Sequence, residues 1–287
     1  MSTATAPAFR PARAAGNERV TFPRVLRSEW IKVTTLRSTV ILLSITVVVM
    51  IGLAALYAWS TAVAADFQDQ AGAMGPQGIG TDFQQMAYDA PSSGVVFGQL
   101  LIASLAVVLI ASEYTTGMIR STMVAVPTRI PALLAKTLVT AVVAFVVGVA
   151  AAFASYFVAQ PLLAPENLEF GLDAPGVLAS IINTGTFLAL VAVMGVAIGA
   201  LLRSTAGGVV TIIGLLFVLG IIVSLFSGLA DWIPDAARFL PDSAGARLVS
   251  TQTGEGQLTQ LQGGLVMAAW AAGLLAAAAL VVKKRDV

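Results

Sequence analysis

Residues 94–131 read GVVFGQLLIASLAVVLIASEYTTGMIRSTMVAVPTRIP, and they change character halfway along. Residues 94–112 contain no charged side chain, whereas residues 113–131 contain a glutamate, two arginines, two prolines and four threonines. A helix needs about 20 apolar residues to cross the hydrocarbon core of a bilayer. The first half therefore predicts a transmembrane helix, and the second half predicts a polar loop outside the bilayer.

Five other segments have the same uncharged, apolar character. The whole chain is 57% hydrophobic and 11% charged, whereas an ordinary soluble domain is about 25% charged. The sequence thus predicts an all-α integral membrane protein with six transmembrane helices. The six apolar segments are residues 39–62, 94–112, 137–159, 175–202, 205–230 and 261–282.

Only Arg203 and Ser204 separate the fourth apolar segment from the fifth. One straight helix through both would be about 80 Å long, which is far more than the roughly 30 Å of a hydrocarbon core. A tight hairpin is therefore predicted, with Arg203 in the turn and Gly207 and Gly208 just after it.

The basic residues fall on one side of the predicted membrane. If the six helices alternate in direction, 14 of the 16 lysines and arginines lie on one side, and 11 of the 15 acidic residues lie on the other. Because cytoplasmic loops are enriched in Lys and Arg, both termini are predicted to be cytoplasmic, in a multi-pass protein of the plasma membrane. The basic residues on that side are Arg10, Arg13, Arg19, Arg24, Arg27, Lys32, Arg37, Arg120, Arg129, Lys136, Arg203, Lys283, Lys284 and Arg285.

Several functional classes lack the residues that they need. The chain has no cysteine and no histidine, and it contains neither an HExxH motif nor a GxxxxGK[ST] phosphate-binding loop. The six apolar segments also lack the ionisable residues that serve as proton or ion relays in gradient-driven transporters. Without a nucleotide-binding loop the chain cannot hydrolyse a nucleotide, so we expect any uphill transport to draw its energy from another chain.

The N-terminal region divides into two parts. Residues 1–19 are rich in Ala, Pro and Arg. The first apolar segment begins only at residue 39, which is too far from the N-terminus for a simple cleavable signal peptide. We therefore expect residues 1–19 to form a disordered, retained tail. Residues 20–37 predict an amphipathic helix that either floats in the membrane interface or serves as a plain basic anchor. At 100° per residue, the apolar side carries Val25, Leu26, Trp30, Val33 and Leu36, and the polar side carries Arg24, Ser28, Lys32 and Thr35.

The longest predicted cytoplasmic loop, residues 113–130, carries a second amphipathic pattern. Thr115 or Thr116 is a candidate helix cap, and Pro127 ends the pattern. The apolar stripe between them consists of Met118, Ile119, Thr122, Met123 and Val126. Such a stripe either lies on lipid or offers an adaptable methionine-rich contact surface to a cytoplasmic protein.

Two segments resemble the membrane permease subunits of ABC-2 type ABC transporters, especially the actinobacterial branch. They are LRSEWIKVTTLRSTVILL (26–43) and ASEYTTGMIRSTMVAVPTRIPALLAK (111–136). The family pattern has a Ser-Glu-Trp-x-Lys-like N-terminal helix, six spans and a Ser-Glu-Tyr-x-x-Gly-x-Ile-Arg-like segment after the second span. RFLPDSAGARLV (238–249) is similar to a Leu-Pro-Ser-x-Ala-Gly segment of these permeases, except that Asp242 replaces the usual serine. The resemblance covers residues 20–287.

The resemblance implies a half-transporter that pairs with a second copy or a sister permease. It also implies a separate cytoplasmic ATPase subunit that carries the ATP and Mg, with no cofactor, metal or nucleic acid on this chain. The ATPase-docking residues would be Glu113, Tyr114, Gly117, Met118, Ile119, Arg120 and Met123, supported by Arg27, Glu29, Trp30 and Lys32 of the N-terminal helix. The outer segment 231–261 would form partly re-entrant helices that include Trp232, Pro241 and Gly245.

We therefore expect a non-enzymatic permease of an ATP-driven exporter whose cargo is an amphiphilic drug, peptide antibiotic or lipid. The alternative is a membrane scaffold that recruits a cytoplasmic partner without transport. Small-residue stripes, such as Gly195 with Gly199 in the fourth segment, serve either packing within the bundle or a homodimer contact.

Glu113 comes directly after the second span, where a half-buried carboxylate needs a partner. We expect it to pair with Arg27 or Lys32 of the N-terminal helix, and the alternative is a solvated glutamate that merely ends the span.

Overall fold

The computed structural model describes residues 21–72, 82–118, 129–230, 232–254 and 256–284, and all regular structure in these ranges is helical. Within these ranges, six helical segments are long and apolar enough to cross a membrane. The predicted all-α membrane fold is thereby confirmed. The helices are α1 (Phe22–Thr35), α2 (Arg37–Gly72), α3 (Phe83–Ser93), α4 (Val95–Thr115), α5 (Arg129–Leu163), α6 (Val177–Leu202), α7 (Thr205–Ile213), α8 (Leu219–Leu225), α9 (Trp232–Ala237), α10 (Pro241–Val249) and α11 (Gln260–Lys284).

Several spans extend beyond the apolar segments that predicted them. Helix α2 has 36 residues and α5 has 35, which corresponds to more than about 50 Å each. Helix α3 leads into α4 through Gly94, and a side chain at Gly94 would overlap the Met50 backbone of α2. The apolar pattern gives only the bilayer-crossing part of these helices, because their polar ends are helical as well.

Helix α6 lies at the centre of the bundle and packs against α4, α5 and α11. Its glycines allow the close approach: a Cβ at Gly185 would lie 2.6 Å from the Phe145 carbonyl oxygen, and one at Gly195 would lie 2.9 Å from that of Ala103. The small-residue stripe of the fourth span therefore serves packing within the bundle. The fifth and sixth spans also carry small residues, but two of them, Ser224 and Ala272, are exposed and do not pack within the bundle.

The predicted hairpin between the fourth and fifth spans is confirmed. Arg203 ends α6 in the left-handed conformation with φ 52°, and the Ser204 hydroxyl caps α7 by accepting a hydrogen bond from the Gly207 amide at 3.3 Å. The fifth span continues through a π-helical turn, Gly214–Val218, into α8.

The bundle has two ends of different composition. We call the end where α1, the last turn of α4, the first turns of α5 and the Arg203 hairpin lie the charged end. The opposite end holds α3, residues 164–176 and the described residues of the connection 226–259, with its short helices α9 and α10. The predicted tail, residues 1–19, lies outside the described residues.

Candidate functional site

Four ionisable side chains from three helices meet at the charged end. The Lys32 Nζ of α1 donates to Glu29 Oε1 at 2.7 Å and to Glu113 Oε1 of α4 at 2.8 Å. The Lys136 Nζ of α5 donates to Glu29 Oε2 at 2.5 Å and to Glu113 Oε1 at 3.0 Å. Each ammonium group thus bridges both carboxylates, and we call these four residues the charge cluster.

The charge cluster is largely removed from solvent. The side chains of Glu29, Glu113 and Lys136 are 4%, 5% and 9% exposed, and that of Lys32 is 27% exposed. Two positive and two negative charges cancel within the cluster. Removing one partner of a buried ion pair costs about 3 to 5 kcal/mol, because the remaining charge stays buried without compensation. The docking of α1 on α4 and α5 therefore depends on all four residues together.

The pKa values of the two α1 residues reflect this arrangement. Burial alone would raise the pKa of Glu29, but the charges and hydrogen bonds of Lys136 and Lys32 outweigh burial and lower it from 4.5. Burial would likewise lower the pKa of Lys32, but its bonds to Glu113 and Glu29 raise it from 10.5. The stabilisation from Glu29 is lost as the pH falls below about 4.5, and that from Lys32 is lost as the pH rises above about 10.5.

The local sequence explains why α1 presents a glutamate to the bundle. Its buried residues are Val25, Glu29 and Val33, which follow one another at four-residue spacing and so form one stripe. Val25 packs against the small Ala135 of α5, which lets α1 approach closely beside Lys136. Trp30 of the predicted apolar side is 47% exposed instead.

The predicted pairing of Glu113 with Lys32 is confirmed, whereas Arg27 is exposed and lies outside the charge cluster. The sequence reasoning did not assign Glu29 and Lys136 as further partners. The burial of Glu29 could have been predicted from the sequence, because it lies four residues from Val25 and four from Val33 on one face of α1. Lys136 was counted only as a loop cation, although it lies two turns inside α5.

The Arg203 hairpin reaches the same end of the bundle. Its guanidinium carbon lies 5.0 Å from the centre of the Tyr114 ring, a cation–π contact. Tyr114 follows Glu113 directly, so the last turn of α4 contacts both α1 and the hairpin.

The predicted docking segment begins where α4 ends. The hydroxyls of Thr115 and Thr116 donate back to the Ser112 carbonyl at 3.0 and 2.8 Å, so they close the last turn of α4. The helix that one of them was predicted to cap lies outside the described residues. Gly117 adopts φ 72°, and Met118 is 48% exposed. The other predicted docking residues, Ile119, Arg120 and Met123, lie outside the described residues.

The opposite end is held together mostly by uncharged groups. Residues 248–251, which we call the clasp, join α10 to three other helices. Asp89 Oδ1 of α3 accepts hydrogen bonds from the Thr251 amide at 2.9 Å and from its hydroxyl at 2.7 Å. Further bonds run from Gln85 to the Thr251 hydroxyl, from Ser180 to the Val249 carbonyl, from Asn183 to the Leu248 carbonyl and from Gln260 to the Ser250 carbonyl.

The three predicted outer residues occupy different environments. Trp232 begins α9 and is 68% exposed. Pro241 is the first residue of α10, and Gly245 packs so tightly on Phe187 of α6 that a side chain there would overlap the ring. The structure therefore places Pro241 and Gly245 in the packing of α10 on the bundle.

The residues in the described ranges include no group of three or more Asp or Glu side chains placed to hold a metal ion. In the charge cluster, each carboxylate already faces two lysine ammonium groups. Its chemistry is that of a helix-docking site.

No family model matches the chain, and no curated protein matches it.

Proposed function

We propose that this chain is the permease subunit of an ATP-driven exporter of the ABC-2 type. The observation that carries the proposal is the charge cluster, which ties α1 to α4 and α5 and includes Glu113, the first residue of the predicted docking loop 113–130. The sequence resemblance assigns this loop to the docking of a separate ATPase subunit, which would carry the ATP and Mg. An ATPase subunit docked on this loop would be linked through the buried charge cluster to α1, α4 and α5 at once.

The charged end faces the cytoplasm in this proposal, with both termini on that side of the plasma membrane. Lys32, Lys136 and Arg203 lie at this end, and α11 runs toward it to finish with Lys283 and Lys284, which agrees with the enrichment of basic residues on the cytoplasmic side. Helix α1 then lies along the inner surface of the membrane, with the exposed Trp30 in the interface.

The charge cluster also suggests how movement of the ATPase would reach the spans. Because Lys32 and Lys136 each bridge Glu29 and Glu113, α1, α4 and α5 are expected to move as one body when the loop is displaced. Helix α2 begins two residues after α1 ends, so the first three spans would respond together. Two copies of the chain, or this chain with a sister permease, would enclose the path of the cargo.

The cargo that fits best is an amphiphilic compound, such as a drug, a peptide antibiotic or a lipid. The apolar segments carry no charged residue that a small ion would need along its route.

Purification from native membranes tests the proposal. A tagged chain should bring down one ATPase subunit, and the pair should hydrolyse ATP while the chain alone does not. Glu113→Arg should reduce export at least tenfold, since three cations would then face Glu29 alone. Adding Lys32→Glu should restore part of the export, because it returns the cluster to two charges of each sign.

Arg27→Glu provides the matched control for Lys32→Glu, because it makes the same charge change on an exposed position of the same helix. It should not rescue Glu113→Arg. Copurification of a partner without any export or ATP hydrolysis would instead identify a scaffold, and normal export by Glu113→Arg would refute the proposed role of the charge cluster.

A further inference from the structure

A cavity of about 570 Å³ opens at the opposite end of the bundle, between α8 and the connection 232–258. Part of its wall is apolar, with Val223, Leu240 and Leu258. Its wall also contains charged side chains, among them Asp242. The cavity thus offers both surfaces that an amphiphilic molecule needs.

Three other charged residues line the cavity besides Asp242, and they have other contacts. Arg238 lies 3.6 Å from Asp235 and donates to the Gly256 carbonyl at 3.4 Å. Arg247 donates to the Gln257 side chain. In the part of the chain that the structure describes, Asp242 makes no ion pair, and its side chain accepts only a 3.4 Å hydrogen bond from Gln99.

Burial makes the isolated carboxylate of Asp242 costly. It raises the pKa of the Asp242 carboxyl, and the hydrogen bond from Gln99 offsets only part of the effect. Gln99 itself is 2% exposed, and its Oε1 has no hydrogen-bond donor among the described residues. Of these two neighbouring groups, Asp242 lines the cavity, and its carboxylate can accept further hydrogen bonds from an ammonium group, which carries three donors.

We propose that this cavity binds the ammonium group of an amphiphilic amine, with Asp242 as its counter-ion. The apolar tail lies along Val223, Leu240 and Leu258. A hydroxyl in place of the ammonium group would donate one hydrogen bond but leave the carboxylate charge unpaired. Binding requires only this chain, whereas the role of the amine as exported cargo rests on the proposed function.

Calorimetric titration of the purified, detergent-solubilised chain tests the site. The probes are octylamine and octanol, which share one tail, and lysophosphatidylethanolamine, which presents the amine as a lipid headgroup. Octylamine should bind at least tenfold more tightly than octanol, and Asp242→Asn should remove this preference. Asp242→Glu should retain part of it, because it keeps the charge.

Asp235→Asn is the matched control, since Asp235 lines the same cavity but is 71% exposed and lies beside Arg238. It should change octylamine affinity less than threefold. Binding of the lyso-lipid as tight as that of octylamine would identify a lipid amine, and much weaker binding would identify a free amine. Equal affinity of the wild-type chain for octylamine and octanol, or unchanged octylamine binding by Asp242→Asn, would overturn the proposal.

The pH dependence of octylamine binding gives a second readout of the same site. Octylamine stays protonated at and below pH 7, so its binding should weaken as the pH falls and Asp242 takes up a proton. Because burial raises the pKa of Asp242, the loss should begin at a higher pH than an exposed aspartate would give. The cavity wall also contains the charged residues Asp235, Arg238 and Arg247, so the Asp242→Asn chain supplies the reference curve.

These titrations contain no ATPase. A chain that binds octylamine but recruits no ATPase would refute the proposed function and leave the amine site standing. A chain that exports its cargo but shows no preference for octylamine over octanol would refute the amine site and leave the proposed function standing.

Discussion

At the charged end, four ionic side chains hold α1 against α4 and α5, whereas at the opposite end mostly neutral groups hold the clasp against α3, α6 and α11. The charge cluster concentrates its contacts on two carboxylates and two ammonium groups. The clasp distributes its contacts over five side chains, and four of its bonds end on the backbone of residues 248–251.

The difference predicts how each end responds to a local change. A buried charge that loses its partner strongly destabilises the folded state, so α1 should be either fully docked on α4 and α5 or fully released. A neutral hydrogen bond contributes only about 1 kcal/mol net, so the clasp can lose one contact and keep its place. In the proposed permease, the charged end would therefore transmit movement, and the opposite end would open in steps.

The largest expected effect is an all-or-none difference in labelling between the two ends. Because the chain has no cysteine, single cysteines report position without background. Ala164→Cys, Asp82→Cys and Gln257→Cys should react with an impermeant maleimide in intact cells, whereas Ser204→Cys and Ser121→Cys should react only after the membrane is opened. External labelling of Ser204→Cys would reverse the proposed orientation.

The next effect concerns the charge cluster. Lys136→Met leaves Glu29 and Glu113 with only Lys32, so it should destabilise the docked state by about 3 to 5 kcal/mol. Chemical unfolding in detergent measures the loss, and the distance between spin labels at Ser28→Cys and Thr115→Cys should lengthen as α1 detaches.

The double variant Lys136→Met with Glu29→Gln is the control for that change, because it leaves one neutral pair, Lys32 with Glu113. It should be more stable than Lys136→Met alone. If Lys136→Met unfolds at the same denaturant concentration as the natural chain, the charge cluster does not hold α1 in place.

The smallest effect is expected at the clasp. Thr251→Val removes the hydroxyl that contacts Asp89 and Gln85 but keeps the backbone bond to Asp89. We expect a loss of about 1 to 3 kcal/mol, measured by the same unfolding assay, and Thr251→Ser should recover most of it. A loss as large as that of Lys136→Met would remove the distinction between the two ends.

The sequence predicts the spans and the hairpin because both follow from local chemistry. An uncharged run of about 20 residues has few alternatives to a membrane helix, and two such runs around Arg203 leave room only for a turn. The polar ends of α2 and α5 were missed, because an apolar pattern cannot show where a helix continues past the bilayer.

The candidate site was predictable only in part. Glu113 was expected to meet Arg27 or Lys32 because a carboxylate at the end of a span needs a cation nearby, and the structure selects Lys32. The roles of Glu29 and Lys136 depend on which face α1 turns toward α5, and that is decided by tertiary packing of Val25 on Ala135. In the sequence, Asp242 differs from a family motif but gives no sign of a binding site. Only the structure shows that it lines a cavity and makes no ion pair among the described residues.

The π-helical turn Gly214–Val218 accommodates one residue more than a regular α-helix would over the same rise. Loss of a single codon within this turn would therefore leave a continuous hydrogen-bonded helix that still inserts into the membrane. Every later side chain of the span would keep its direction, because the shortened turn becomes α-helical over the same rise, so Gly220 and Val223 would stay in the cavity wall. The same deletion in a regular α-helical turn would rotate every later side chain by about 100°, so the π-helical turn is a place where this span can tolerate a one-residue change in length.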